Sequence, residues 1–583
     1  MALTKNCKQC NCEFKIEDED LEFYKKISPT FAGKTFEIPA PTLCFECRLR
    51  RRLTCRNVRN VYRRKSDQSG KELVSPYAPN SPYKIYSVEE FESDDFDVRS
   101  YDRDFDFTRP FFEQLKELQL EVPRPHASIV SATMENAEFV SGASYVKNAY
   151  MSFNVIANED IYYCDSVFHS KKCIDCLFCL KVENSYECVS CSGLYGCFYC
   201  LNCQNSRNLY FCNNLNGCQD CFGCVNLTNK QYFVFNKPFS KENYENFIEN
   251  FNFDEEGILK TKEKVKDLSN TLPHKFAQII QCDNCTGTYL KNSKNCKNTF
   301  ETNNAENINN GFTLQDNVKD SQDISNVFNN AEQCFEYISG GHNANNLLFC
   351  SYCFSNCRNL YYCDSCYNSS KNLFGCIGLI GREYCILNKQ YSKEEYEALV
   401  VKIIEHMQKM GEWGEFFPIG FSAFAYNESL AGEYFPLSKD EALNLGSRWQ
   451  DDNFDAQYVG PFYGPKNIKQ YDPMLNTKSQ SEIDQALKGI VKCEISGRPF
   501  KLIAQEIAFY IEHSLPIPTK HPKVRYEERF ALRDPLKLYH RQCLCEEADH
   551  GHEGRCESEL ETTYAPERKE KVYCEDCYQR SVI

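Results

Sequence analysis

Residues 162–233 read, in successive twelves, YYCDSVFHSKKC, IDCLFCLKVENS, YECVSCSGLYGC, FYCLNCQNSRNL, YFCNNLNGCQDC and FGCVNLTNKQYF. Cys164, Cys176, Cys188, Cys200, Cys212 and Cys224 hold one phase of this frame, with Tyr162, Ile174, Tyr186, Phe198, Tyr210 and Phe222 two residues ahead. An apolar column, Val167, Cys179, Cys191, Cys203, Leu215 and Leu227, follows three behind. A fixed short period with fixed chemistry at each phase means stacked coils, so the stretch predicts a β-solenoid. Asn148, Asp160, Asn184, Gly196, Asn208 and Asp220 recur at one phase, and Asn154, Ser166, Ser190, Asn202, Asn214 and Asn226 at another. These types tolerate tight, left-handed corners, so each coil is expected to hold about two short strands. Residues two apart on a strand share a face, which would turn the aromatic and Cys columns inward together.

A second copy follows. Asn346–Cys350, Asn359–Cys363 and Asn372–Cys376 repeat the phases at thirteen, preceded by weaker Asn-rich coils around Thr299-Phe300, Gly311-Phe312, Asp323-Ile324 and Cys334-Phe335. Both copies exit through nearly one string, CVNLTNKQYFVFNKPFSKENY from Cys224 and CIGLIGREYCILNKQYSKEEY from Cys376, which marks an internal duplication. Ser240 and Ser392 each open a charged amphipathic helix, with the full capping box, Ser392 and Glu395, only in the second. Those helices are expected to cover the ends of the stacks. A helix over TRPFFEQLKELQL, with Pro110 at its first turn, is expected to pack Phe111, Leu115 and Leu118 against the first stack.

The fold expected is therefore mainly β: a two-segment β-solenoid with 12–13-residue coils, helical covers and small zinc-ribbon modules at both ends. Its parts are an N-terminal zinc ribbon with a basic strip (1–60), a degenerate metal-free ribbon (61–100), a helical linker (101–135) and solenoid segment 1 (136–238). A helical cover (239–279), solenoid segment 2 (280–390), a second cover (391–411), a loop-rich connector with Trp413, Trp449 and a helix capped by Ser438 (412–490), and a C-terminal module with a zinc ribbon (491–583) complete it. The chain has 583 residues, 36 cysteines and a formal charge of −15. It contains no 18-residue apolar run and no signal-peptide pattern, so a cytoplasmic location and no membrane partner are expected. In a reducing compartment cysteines serve as metal ligands or buried thiols before disulfides.

Metal-ligand spacing stands at both ends. Cys7-x2-Cys10 and Cys44-x2-Cys47 make two knuckles, each offering two thiolates to a tetrahedral Zn2+, with Cys12 as a substitute ligand. Cys556 and Cys574-x2-Cys577 surround a second expected zinc; Cys543 and Cys545 compete for its fourth position, and His550 or His552 could also serve. Two structural zinc sites follow. The ribbon has an echo: SPYAPNSPYKIYSVEEF at 75–91 lies over TTYAPERKEKVYCEDCY at 562–578, placing Ser69, Ser87 and Glu90 where Cys556, Cys574 and Cys577 stand. A further echo sets Lys65–Lys71 against Lys492–Arg498 and leaves Cys493 without partners. The string CKQCNCEFKIEDEDLEFYKK followed by PTLCFECRLRRR resembles a zinc-ribbon family in which a CxxC, an aromatic, an acidic stretch and a second CxxCR recur, which implies a zinc fold and no activity. The segments RDFDFTRPFFEQLKEL, GEWGEFFP, AYNESLAGEYFPLSKDEAL and the terminal TYAPERKEKVYCEDCY resemble a cysteine-rich family of candidate-phylum bacteria, which implies this organisation and again no activity.

Cys173, Cys176 and Cys179, like the other CxxCxxC runs, imitate an iron–sulfur opening, but the twelve-residue frame explains their spacing without a cluster. Residues three apart on a strand face opposite ways, so core thiols are the leading reading; Cys282, Cys285 and Cys296 at the entry of the second stack are open to metal. From Arg48 to Lys65 the chain carries nine Arg or Lys and no acid. Arg48, Arg50, Arg51, Arg52, Arg56, Arg59, Arg63 and Arg64 could meet phosphate and Tyr62 stack on a base, making RNA or a ribonucleoprotein a partner. Against this, nine acids in residues 89–106 could neutralise the strip internally, and Arg525, Arg529 and Arg533 form a second basic face that reads as solvated. No catalytic motif and no small-molecule site is evident: Gly33-Lys-Thr35 ends like a phosphate loop but Ser28 replaces its first glycine. The reading is a non-enzymatic binding or scaffold protein associated with RNA or a ribonucleoprotein. A purely protein-binding scaffold and an iron–sulfur or redox protein are the alternatives.

Overall fold

The computed structural model describes residues 3–127, 133–315, 317–328, 358–366, 369–451, 458, 460–463 and 489–582. It is mixed in class, 25% helical and 31% strand in many small sheets, where mainly β was expected. The helices come from the modules and covers, whose share of the chain the repeat pattern does not reveal.

A parallel ladder occupies residues 134–234, and its partners stand twelve apart: Ser141 opposite Phe153, Phe153 opposite Asp165, Asp165 opposite Leu177, Ser192 opposite Gln204, and Gln219 opposite Gln231. Strands Phe153–Tyr162, Asp165–Phe168, Leu177–Tyr186 and Lys171–Ile174 close a circuit of four parallel pairings. The corners are more frequent than the two phases read from the sequence. Tyr163, Ser166, His169 and Lys172 all take left-handed φ, between 52° and 57°, and the same holds at every third residue onward through Asp175, Phe178, Lys181 and Asn184. Each twelve therefore has four corners. Left-handed non-glycine residues cost roughly 1–2 kcal/mol apiece, offset here by corner amides that reach back thirteen residues, as Tyr163 to the Tyr150 carbonyl and Asp175 to the Tyr162 carbonyl, both 3.0 Å.

This triplet geometry reassigns the columns. One residue in three points inward, so Cys164, Val167, Cys173, Cys176, Cys179, Val182, Cys188 and Cys191 share one buried cluster, and residues three apart face the same way rather than opposite ways. The aromatic column lies outside it. Tyr162, Ile174, Tyr186 and Phe198 pack with Val491, Leu502, Ile507, Phe509 and Tyr510 in a separate cluster against the C-terminal region.

In the second ladder, described on either side of residues 329–357, registers are mixed: Gly287 faces Thr299 at twelve, Phe312 faces Ser325 and Arg358 faces Lys371 at thirteen, and Lys371 faces Glu383 at twelve again. The repeat units at 334–335 and 346–350 lie outside the described residues. Both ladders end alike. Gln231–Val234 turns back antiparallel onto Lys237–Pro238, and Glu383–Ile386 onto Lys389–Gln390. At each turn an asparagine replaces the missing next coil: Asn236 accepts from the Val225 amide (2.8 Å) and donates to its carbonyl (2.9 Å), and Asn388 does the same to Ile377 (2.9 Å each).

The exit helices follow. Ser240 caps Lys241–Glu249 and Ser392 caps Lys393–Met410, the latter with its full box and a left-handed Gly411 at its end. Tyr244 and Ile258 pack on Phe222 and Val234, while Tyr396, Val400, Ile403 and Ile404 pack on Leu373, Cys385 and Ile386. Helix Phe111–Glu121 buries Phe111, Leu115 and Leu118, but against the second ladder instead of the first, with the Phe111 ring 5.2 Å from Tyr362 and 5.5 Å from Phe374. Ser438 caps Lys439–Asn444, and the buried Trp413 donates its indole N–H to the Glu37 carbonyl at 3.0 Å. Among the described residues no helix is long and apolar enough to cross a membrane.

Candidate metal centres and the arginine strip

At the amino terminus, hairpin strands Leu3–Asn6 and Glu13–Ile16 bracket a tight knuckle in which the Cys7 amide donates to the Cys12 carbonyl (2.8 Å) and the Asn11 amide to the Cys7 carbonyl (2.9 Å). Asn11 takes the left-handed conformation this turn requires, at φ 59°. Cys44 is the N-cap of helix Phe45–Leu53, where unpaired amides favour negative charge. The knuckle and the cap bring the sulfurs of Cys7, Cys10, Cys44 and Cys47 within 4.8 Å of one another. Cys10 and Cys44 stand 3.7 Å apart, and a tetrahedral zinc with 2.3 Å bonds would set that edge at about 3.8 Å. The Cys47 thiol hydrogen-bonds Cys44 and lowers it to about 4, against the effect of burial; Arg50 adds a guanidinium 3.3 Å from the Cys47 sulfur. Cys12 lies outside the set, exposed, 3.2 Å from Cys10.

The same knuckle and cap recur. Ser66–Lys71 and Cys493–Arg498 repeat both turn hydrogen bonds, with left-handed Gly70 and Gly497 in place of Asn11. Ser87, His521 and Cys574 each stand at a helix N-cap, as Cys44 does. In the second module Glu90 accepts from the Ser66 hydroxyl (2.5 Å) and the Ser87 amide (2.7 Å), so hydrogen bonds join the two halves where thiols stand elsewhere. In the third, Cys493 is ringed by amides and its sulfur accepts from Ser496 at 3.4 Å.

In the fourth module Cys543, Cys556, Cys574 and Cys577 form a set within 4.8 Å, matching Cys7, Cys10, Cys44 and Cys47 by place in hairpin and helix. Of the two cysteines that compete for the fourth position, Cys543 falls in this set. Its sulfur accepts from the Cys574 amide at 3.2 Å, and Cys556 stands 4.0 Å from Cys574. Burial pushes the Cys556 thiol up, but hydrogen bonds with Ser558, Cys577 and Cys543 together outweigh it and bring it to about 7. Cys545, His550 and His552 join Cys577 in another set within 4.8 Å. All three sets could hold a metal ion, and thiolate with imidazole in fours is the donor chemistry of zinc.

The ladder cysteines behave differently. Most thiols stand within hydrogen-bond reach of a carbonyl two residues back and of one nine residues on in the next coil, between which the single S–H is shared: Cys164 with Tyr162 and Cys173 (3.5 Å each), Cys179 with Leu177 and Cys188 (3.4 Å each), Cys191 with Val189 and Cys200 (3.2 and 3.6 Å). Burial pushes Cys164, Cys188, Cys191 and Cys200 well above the ordinary thiol range, whereas hydrogen bonds from neighbouring thiols hold Cys176 well below it and, against the effect of burial, Cys203 as well. Cys282, Cys285 and Cys296 likewise donate to backbone carbonyls.

Most of the arginine strip is turned inward, with Arg63 and Lys65 left exposed. Arg48 and Arg52, 4% and 0% exposed, both reach Asp323 (2.9 and 3.4 Å), and Arg52 also donates to Ser325. Arg51 meets Glu415, Arg56 donates to Asn154, and Arg59 pairs with Asp165 at 2.9 Å while stacking on Tyr526. Arg64 reaches Asp67 and the Ala78 carbonyl, Arg63 lies over Phe139, and the Tyr62 hydroxyl donates to Glu428. Of the acids of 89–106, Asp97 pairs with Arg99, Asp104 with Lys389, and Glu90 is engaged as above. The second arginine face is buried too: Arg525 and Arg529 hold Asp175 at 2.6 and 2.8 Å, and Arg533 holds Glu301 at 2.5 Å. These pairs escaped the sequence reading because partners such as Arg48 and Asp323 are 275 residues apart.

The chain matches no protein-family model and no curated protein. Among solved structures, a protein assigned as an acetyltransferase from Desulfovibrio desulfuricans G20 aligns at 9% identity over 42% of this chain and 63% of that chain, with a TM-score of 0.10. The alignment spans less than two thirds of that protein, and the likeness carries no argument about fold or function.

Proposed function

We propose that the chain is a non-enzymatic scaffold: two stacks of one duplicated β-solenoid, clipped by zinc-ribbon-like modules, that present their outer faces to protein partners. The observation that carries this reading is the use of the module arginines. Helix Phe45–Leu53 and helix Pro522–Phe530 each place an arginine pair, four and eight residues past the N-cap, on one buried ladder aspartate. Guanidinium groups committed to Asp323 and Asp175 hold modules on stacks, and they are withdrawn from phosphate. Zinc at the first knuckle would fix Cys44, the N-cap from which helix Phe45–Leu53 starts. The ladder thiols, engaged as hydrogen-bond donors, support core filling in a reducing, cytoplasmic setting over an iron–sulfur role.

The test is affinity capture of the full chain from native lysate with and without ribonuclease, beside fluorescence anisotropy on a labelled single-stranded RNA. The scaffold reading expects protein partners that survive ribonuclease and no salt-dependent RNA binding. RNA recovered directly, lost on ribonuclease and matched by anisotropy, would overturn it.

A further inference from the structure

The fourth module departs from its siblings at one place. In the first three, the hairpin strands are separated by residues 7–12, 66–71 and 493–498, whereas in the fourth Tyr539–Gln542 and Glu559–Thr562 are separated by residues 543–558. The additional residues lie between Cys543 and Cys556, and they bring Cys545, His550 and His552. A tetrahedral ion at Cys543, Cys556, Cys574 and Cys577 uses four donors and leaves these three, which gather with the same Cys577 sulfur in a set of their own.

Their orientation is that of ligands. The His552 Nδ1 lies 2.9 Å from the Gly554 carbonyl, which makes it the protonated nitrogen and leaves the lone pair of Nε2 facing Cys577 at 3.4 Å. His550 presents Nδ1 to the Cys545 sulfur at 3.0 Å, with Nε2 toward the Asp549 carboxylate at 4.0 Å. Left-handed Gly551 and Gly554 shape the loop between them, and Arg580 of the last helix ties it down through the Asp549 carbonyl. A β-carbon on Gly551 would stand 2.9 Å from the Arg580 guanidinium.

We infer that the C-terminal module is a binuclear zinc centre in which the Cys577 thiolate bridges one ion held by Cys543, Cys556 and Cys574 and a second held by Cys545, His550 and His552. A thiolate sulfur has lone pairs for two metals, and five thiolates against two dications leave a single negative charge, so the assembly is chemically balanced. The inference rests on the zinc-module reading above and deepens it.

The test is zinc content of the full chain, purified under reducing conditions and dialysed against a weak chelator, with a His550→Gln/His552→Gln variant. One zinc per donor set gives three per wild-type chain and two in the variant. Two in both would overturn the binuclear centre while leaving the zinc modules intact, and none would overturn both readings. A variant that fails to fold is bypassed by loading the wild-type chain with cobalt(II). A shared thiolate couples two of the ions, so the paramagnetic resonance signal should integrate to one isolated ion per chain; three uncoupled ions would overturn the bridge.

Discussion

His521 starts helix Pro522–Phe530 by accepting the Lys523 amide on Nδ1 at 3.0 Å, a role open only to the neutral ring. Burial, with Arg498, Arg525 and Lys523 nearby, lowers its pKa to about 3. A folded value below the unfolded one means the stability tied to this residue is complete above about pH 6.5 and is lost as pH falls toward 3. Unfolding followed against pH should therefore show His521→Asn, which retains a cap acceptor without a titrating ring, losing less stability on acidification than the wild type. Equal losses would remove His521 from that role. Asn388, fully buried, is a second residue with a measurable task. Asn388→Ala leaves both the amide and the carbonyl of Ile377 unpaired and should cost about 2 kcal/mol in chemical denaturation, more than Asn236→Ala, whose half-buried site admits water. The asparagine string was readable at this scale because the two exits repeat it. The ring state of His521 was not, because its largest cause is burial and Arg498 reaches it from the knuckle across the module, both set by the folded chain.

Among elements, the paired-arginine helices set the strongest expectations. Burial pushes Asp175 up and Arg525 and Arg529 oppose it, so its charge depends on both partners being present. Asp175→Ala strands two buried guanidiniums and should cost about 3–5 kcal/mol, seen as a lowered melting temperature. Replacing the whole buried cluster, Asp175→Leu with Arg525→Met, Arg529→Met and Glu506→Gln, should recover most of that loss, since no charge is then left to desolvate. If the quadruple variant is no more stable than Asp175→Ala, packing and not charge holds this helix on its ladder. The twelve-residue frame, the capping serines and the Cys-x2-Cys pairs were all legible because each is a local repeat with its own chemistry. Two of the four corner phases were hidden under residues such as Tyr163, His169 and Lys181, types that carry no left-handed signal and adopt it because the adjoining coil supplies their hydrogen bonds.

For the whole molecule, the proposed zinc modules would put metal and ion pairs in series. Stripping zinc with a strong chelator should release the helix after Cys44, weaken the hold of Arg48 and Arg52 on Asp323, and open residues 1–60 and 543–582 to protease before the ladders are cut. Cleavage that begins inside 162–233 would place the stability of the chain in the ladders alone. The sequence by itself determined the period, the duplication, the exit caps and the ligand pairs, because these are set by contacts within a few residues or one coil. The tertiary structure decided where the arginines point, which ladder receives each helix, and how Cys543 and Cys545 divide between two donor sets. Those outcomes depend on charges and sulfurs far apart in the chain, and the physical reason is burial: a guanidinium or thiolate removed from water must find a specific partner, and only the folded chain brings that partner near.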